Sequence, residues 1–323
     1  MSNKSITVGS MFAGIGGICL GFKQAGYEIV WANEMDAAAC RTYRHYFGKK
    51  YLIEGDIRQI DKTQIPRFDI LTAGFPCQPF SLAGPHKGFD DQRGNLFFQI
   101  IEVARQVQPK IIFLENVSNL IEHDNGKTFI TIFNALSDLN YVVRYKNLSA
   151  DVYGDTPQTR NRTYVVAFKD DVLCEKFSFP EPIPRTWGIY DVIIKDVKQK
   201  DVYYYSPQDN IWDYVVGRVK RTDSIYRVHD SGIHLAKNQT CPTLTASMGT
   251  RPDMVPIIMD NYGYRKLTVR ECLDFQCFPE DFSFPHGTTI QEAYKQIGNS
   301  VCVTVVRRIA EQIKQVVDSQ SSD

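Results

Sequence analysis

Apolar and polar positions along the first 170 or so residues alternate between two rhythms. "SITVGSMFA" reads as a buried strand, "GGICLGFKQAG" as a helix that stops at Gly26, and "YEIVWANE" as a second strand, which together make a β-α-β unit. The alternation continues through the helix-like "AAACRTYRHYF", the strand "FDILTAGF", the helix-like "LFFQIIEVARQV" and the strand "KIIFLENV". In the last of these helices Leu96, Phe97, Ile100, Ile101, Ala104 and Val107 fall on one face. Strands separated by amphipathic helices of this length predict an α/β fold, a doubly wound and mostly parallel sheet covered on both faces. Beyond that region the pattern gives way to proline-rich and tyrosine-rich pieces, "FPEPIPRTW" and "DVYYYSPQDN", and a domain boundary is expected there.

Composition narrows the class without naming a function. The chain has 323 residues, 43% of them hydrophobic, and no net charge, which suits a soluble globular protein with one large and one small domain. Its first residues, "MSNKSITVGS", lack a secretory h-region and no run is apolar enough to span a bilayer, so a cytoplasmic protein with no membrane partner is expected. The eight cysteines contain no C-x-x-C pair, which argues against a disulfide framework. His229, His234 and Cys241 have loose ligand spacing but no fourth ligand nearby, and no metal is predicted. Charge is uneven: residues 211–270 hold nine Lys or Arg against five Asp. Either a polyanion is met there or the surface is simply solvated.

Candidate chemistry gathers at the carboxyl ends of the predicted strands, where open parallel sheets bind their ligands. "FAGIGG" (Phe12 to Gly17) follows the first strand, Glu34 ends the second, and "GDI" (Gly55 to Ile57) follows the third. Glycines there admit close backbone approach, and a carboxylate can take two ribose hydroxyls; the three together describe a nucleoside-shaped pocket. A dinucleotide fingerprint from Gly14 would need glycine where Cys19 stands, which weakens a nicotinamide reading. The same glycines would also serve a tight turn alone. "GFPCQPFS" sets Cys77 between Pro76 and Pro79 just past the fourth strand, and Glu115 of "ENV" ends the next. Alone, the thiol reads as inert packing and the carboxylate as a cap. Placed on neighbouring strand ends, they can reach one small substrate.

Three further stretches complete a pattern: "QTRNR" at 158 to 162, "RKLTVRECLDFQCFP" from Arg265, and "GNSV" at 298 to 301. With "FAGIGG", "GFPCQPFS" and "ENV" in this order, the chain resembles the cytosine-5 DNA methyltransferase family, most closely its compact bacterial type II modification enzymes. The resemblance runs over nearly the whole length. It implies a Rossmann-like S-adenosylmethionine-dependent catalytic domain formed by residues 1–185 and 286–323, with a smaller target-recognition domain, 186–285, inserted. The S-adenosylmethionine pocket would be lined by Phe12, Gly14, Ile15, Gly16, Gly17, Glu34, Met35, Asp56, Ile57, Pro76, Leu96, Asn299 and Val301. Met35 stands where the family commonly has Trp, which puts one adenine-stacking contact in doubt. DNA contacts would come from Gln78, Ser81, Arg93 and Gln158, and from Arg218, Arg221, Arg227, Thr243 and Arg251 in the recognition domain, where "TLTASMGT" resembles a Thr-Leu element.

The implied mechanism suits the chemistry of cytosine, whose carbon 5 is a poor nucleophile. Addition of the Cys77 thiolate at carbon 6 makes an enamine that carbon 5 can use to take a methyl group, and loss of the carbon 5 proton then ejects the sulfur. Glu115 would hold ring nitrogen 3 and the exocyclic amine, with a raised pKa once base is bound. Arg160 and Arg162 would lie beside the base; the alternative for both is a phosphate clamp. The base must leave the stack of double-stranded DNA, and the glycine-bearing loop 82–94 would close over it. The resemblance further implies a monomer at the nucleoid and a separate cognate endonuclease. An RNA cytosine-5 methyltransferase of the same fold, a catalytically silent DNA-binding protein and a nicotinamide oxidoreductase stand as alternatives; Gln78 argues against the first and Cys19 against the last.

Overall fold

The computed structural model describes residues 5–75, 96–229 and 232–320. The chain forms two compact units: Met1–Leu148, Asn161–Glu181 and Val305–Asp323 make the first, Ser149–Arg160 and Pro182–Thr304 the second. The second thus contains all of residues 186–285 together with flanking segments.

The first unit is an α/β structure on a seven-stranded sheet, as the alternating pattern predicts. In chain order it runs β1 (Thr7–Met11), α1 (Gly17–Gln24), β2 (Glu28–Glu34), α2 (Ala37–Phe47), β3 (Leu52–Glu54), β4 (Ile70–Gly74), α3 (Leu96–Val107), β5 (Ile111–Val117), α4 (Lys127–Ser137) and β6 (Val142–Ser149). After the short β7 (Gln158–Thr159), which pairs within the second unit, β8 (Asn161–Phe168) completes the sheet. The strand order is β3-β2-β1-β4-β5-β8-β6; β3 through β5 are parallel and β8 is antiparallel to β5. The chain winds outward from β1 in both directions, so the switch point, where such sheets bind ligands, lies between β1 and β4.

Local chemistry explains the elements. Asp36 caps α2 by accepting from the Ala38 and Ala39 amides at 2.9 and 3.1 Å. The apolar face of α3 is buried as its spacing predicts: Phe97, Ile100 and Ala104 are fully covered against Leu71, Ala73, Ile112 and Leu114 of the sheet. At the amino ends of the strands, Asp69 accepts from the Thr7 amide and hydroxyl, both at 2.9 Å, and meets the Lys110 ammonium at 2.9 Å. Partial burial pushes this carboxyl up, but the Thr7 donors and Lys110 outweigh it and hold it below the usual carboxylate range. The helix Val303–Gln320 packs on α1, where a Cβ added to Gly21 would lie 2.7 Å from the Val306 side chain, and Tyr27 donates to the Ala310 carbonyl at 3.0 Å.

The second unit carries a four-stranded antiparallel sheet of β9 (Tyr226–His229), β10 (Gly232–Leu235), β12 (Ile257–Asp260) and β13 (Gly263–Lys266), while β11 (Cys241–Pro242) pairs with β7. Beside an apolar cluster that includes Val215, Val228 and Ile257, it buries an ionic one. Arg265, fully buried, donates to Asp260 at 2.6 Å, to both Glu271 oxygens at 2.8 Å and to the Ile194 and Lys266 carbonyls. The amides of Ile194 and Thr268 complete the shell of Glu271. Sequence counting places Arg265 in a basic surface; the fold instead uses it as a buried counter-ion.

Two outcomes follow. Arg265→Met leaves two buried carboxylates uncompensated and is expected to cost about 3–5 kcal/mol, read by urea denaturation. A depressed carboxyl contributes stability above its unfolded pKa and loses it as pH falls through the folded one. Asp69→Asn is therefore expected to be less stable than the parent at pH 7, with the gap closing below about pH 4, in melts taken across pH.

Candidate active site at the carboxyl ends of the strands

Glu34, the last residue of β2, organises the glycine loop that follows β1. Its Oε2 accepts from the Gly14 amide at 2.8 Å, and its Oε1 accepts from the Met35 and Asp36 amides at 2.7 and 2.8 Å. Three of roughly four acceptor positions of the carboxylate are therefore filled by backbone. The expected pair of ribose hydroxyls would have to share what remains. The loop is left-handed at Phe12, Gly14 and Gly16, with φ of 54, 55 and 88°. A Cβ on Gly16 would lie 2.2 Å from the Phe47 ring, so that glycine is needed for close approach as well as for its torsion. A Cβ on Gly14 would meet nothing within 4 Å, which leaves open space above the loop.

The neighbouring strand ends are tied in the same way. Asn33 donates to the Ile53 and Gly55 carbonyls at 3.0 and 2.9 Å, and the Gly55 amide donates to the Glu34 carbonyl at 2.8 Å. Asp56 accepts from the Arg58 amide at 3.0 Å and is paired with the Arg58 guanidinium, which holds its carboxyl below the usual range. Ile15 and Ile57 are buried, Leu96 is half-buried at the start of α3, and Met35 is exposed.

On the other side of the switch point, Gly74 of β4 stands opposite Glu115 of β5, and a Cβ on Gly74 would lie 3.4 Å from the Glu115 carboxylate. Glu115 is itself opposite Tyr164 on β8, so Arg162, two residues along, shares its face, and Arg162 Nε meets Glu115 Oε1 at 3.1 Å. Both side chains are largely covered. The pair fixes the orientation of the carboxylate, and a bound base would have to share it. Asn116, buried, donates to the Phe75 carbonyl at 2.8 Å and so anchors the chain just before the thiol loop. Sequence reasoning gave Asn116 and Asn33 no role; a buried amide among strand residues is the signal for both.

Pro76, Cys77, Gln78, Ser81, Arg93 and the loop 82–94 lie outside the described residues. Two expected site residues are engaged by backbone. Arg160 is the first. It is buried in the second unit, where it donates to the backbone carbonyls of Leu244, Gly298 and Ser300. Gln158, expected on DNA, is also fully buried and donates to the Phe275 carbonyl at 2.7 Å. Charge and polarity invite a ligand reading, whereas these side chains satisfy backbone that the fold leaves without partners.

Of the remaining recognition residues, Arg221 is doubly bonded to Asp223 at 2.6 Å and Arg251 meets Asp253 at 3.3 Å. Arg218 lies 5.7 Å from the Tyr214 ring centre, and Arg227 is exposed on β9. Thr243 donates to the Thr159 carbonyl at 2.6 Å, and Asn299 is exposed at the end of the helix Ile290–Gly298, just before the buried Val301.

The family described as C-5 cytosine-specific DNA methylase matches residues 6–315. The chain belongs to it. Similar relatives include the type II methyltransferase M.Bsp6I of Bacillus sp. (strain RFL6), 44% identical over 311 residues that cover 95% of this chain and 98% of the relative. M.HhaI of Haemophilus parahaemolyticus is 36% identical over 313 residues, covering 93% and 91%. Among solved structures, a DNMT2 variant of Spodoptera frugiperda superposes with a TM-score of 0.75 at 20% identity, covering 96% of this chain and 100% of that one. A prophage-encoded putative DNA modification methyltransferase from E. coli gives 0.70 at 20%, covering 97% and 100%. The structural likenesses bear on fold, and they agree with the α/β methyltransferase architecture expected from sequence. As a C-5 cytosine-specific DNA methylase the protein is an enzyme, a DNA (cytosine-5) methyltransferase.

Replacing the Glu34 carboxylate tests the glycine loop directly. Glu34→Gln turns an amide donor toward three amide donors and is expected to lower stability by about 1.5–3 kcal/mol, measured by denaturation without any ligand.

Proposed function

We propose that the protein methylates carbon 5 of a cytosine flipped out of duplex DNA, through a transient Cys77 adduct and with S-adenosylmethionine as donor, as the modification half of a restriction-modification system. The observation that carries this reading is the Glu115–Arg162 pair beside Gly74, three residues before Cys77, where β4 and β5 end next to the switch point. The relatives M.Bsp6I and M.HhaI, named type II methyltransferases, support the modification role.

The residues at the first three strand ends fit the donor. The open space at Gly14 admits its backbone-hugging part, and Glu34 and Asp56 supply acceptors for hydroxyl and amine groups. When bound, S-adenosylmethionine supplies an electrophilic methyl group. Phe12, Gly16, Ile57 and Leu96 would surround it, and the resemblance adds Asn299 and Val301.

The work of the chain's own residues follows from their chemistry. The Cys77 thiolate adds to carbon 6 of the ring, which needs only modest activation because thiolates are intrinsically strong nucleophiles. Glu115 holds ring nitrogen 3 as charge develops there, and Arg162 keeps its carboxylate aimed. Arg162 reaches the carbonyl edge of the base from the same face. Arg227 and Arg218 contribute to a basic surface that meets phosphates. Among the described residues no helix is long and apolar enough to cross a membrane. A monomer acting in the cytoplasm beside a separate endonuclease accords with the type II relatives.

The deciding experiment is incubation with S-adenosylmethionine and unmethylated genomic DNA, followed by bisulfite sequencing. Protection confined to one short motif is expected, and absence of protection with active donor overturns the reading. Cys77→Ala is expected to abolish transfer, and Glu115→Gln to lower kcat by about 10²–10³. Arg162→Ala is expected to lower kcat while leaving the slope of log affinity against log salt unchanged; a pure phosphate contact would flatten it by about one.

A further inference from the structure

Arg160 binds together two segments that are far apart in sequence. Its Nη1 donates to the Leu244 carbonyl at 2.7 Å, inside the Thr-Leu element, and its Nη2 donates to the carbonyls of Gly298, at 3.3 Å, and Ser300, on either side of Asn299. Arg160 is 3% exposed, so these bonds are made out of water.

The same two segments also touch without side chains between them. A Cβ added to Gly298 would fall 2.1 Å from the Thr245 carbonyl carbon and 2.3 Å from the Ala246 nitrogen. One added to Gly249 would fall 2.5 Å from the Gln291 carbonyl oxygen. The short helix Ser247–Thr250 therefore sits on the helix Ile290–Gly298 with no slack. Residues beside Arg160 hold the Thr-Leu element from its other side: the Thr159 carbonyl accepts from Thr243 at 2.6 Å, and Gln158 Oε1 from the Leu244 amide at 3.4 Å.

A planar guanidinium has its donor directions fixed relative to one another, so a shift of one carbonyl misaligns the bonds to the others. Packed backbone on backbone moves as a body instead of yielding. Whatever fixes the Asn299 turn therefore also fixes Thr243 to Thr245.

We infer that Arg160 is a positioning residue that couples binding of the methyl donor at the Asn299 turn to binding of DNA at the Thr-Leu element. This rests on the reading that Asn299 meets the donor and Thr243 meets DNA. Coupling is reciprocal: DNA tightens the donor by the factor by which the donor tightens DNA.

The test uses the full chain and S-adenosylhomocysteine, which carries no transferable methyl group. Its dissociation constant is measured by calorimetry with and without saturating sheared unmethylated genomic DNA. For the parent protein a tightening of at least about five-fold is expected, falling to about one in Arg160→Lys, which keeps a charge but not the fork. A folded Arg160→Lys protein that keeps the parent's factor overturns the inference, as does a parent protein with no coupling. The parent alone gives a second measurement, independent of whether the variant folds. S-adenosylhomocysteine without DNA is expected to slow amide exchange across residues 243–251, and unchanged exchange there overturns the coupling. A parent protein that does not bind S-adenosylhomocysteine at all overturns the donor reading itself.

Discussion

Where parallel strands end, the ladder stops and backbone groups need other partners. In the first unit those partners are side chains from the strand ends themselves. Glu34 gathers three amides, Asn33 two carbonyls and Asn116 the carbonyl of Phe75. The glycine loop, the third strand end and the entry to the thiol loop are thereby fixed before any ligand arrives. A site built on such stitching is preorganised, which is what charge stabilisation in a reaction requires. The Glu115–Arg162 pair continues the same device across an antiparallel neighbour, one strand further on.

Much of this was legible from residues alone because it depends on local rules. The α3 face from Leu96 to Val107 follows helical spacing, and the core covers it as that spacing demands. The glycine loop follows from Gly14 and Gly16 immediately after a buried strand. The surroundings of Arg160 and Gln158 were not legible because burial is a tertiary property. Nothing in "QTRNR" distinguishes an arginine facing a base from one that satisfies three backbone carbonyls. Arg265 misled for a related reason: its counter-ions Asp260 and Glu271 lie five and six positions away, and sequence charge counting does not see that all three are withdrawn from water.

The two units differ in what they bury beside their apolar cores. The first, a sheet faced by helices, buries a few uncharged polar residues such as Thr72 and Gln99 among apolar side chains. In the second, the buried Arg265 cluster recruits the backbone at Ile194, Lys266 and Thr268. A buried ion cluster is a poor source of net stability, since desolvation offsets most of the attraction. Its geometric demands are severe, however, and they hold Ile194 to the distant stretch 260–271 in one arrangement.

The contact between Gly21 and Val306 has a consequence for biosynthesis. Val306 lies far along the chain from Gly21, so this side of α1 is covered only after its other side has met the sheet and Phe113. At typical elongation rates of about 5–20 residues per second, that side of the helix waits on the order of tens of seconds uncovered. Partly folded chains that expose apolar surface are prone to aggregate, so the late arrival of this partner links the first unit's folding to segments made after the second unit.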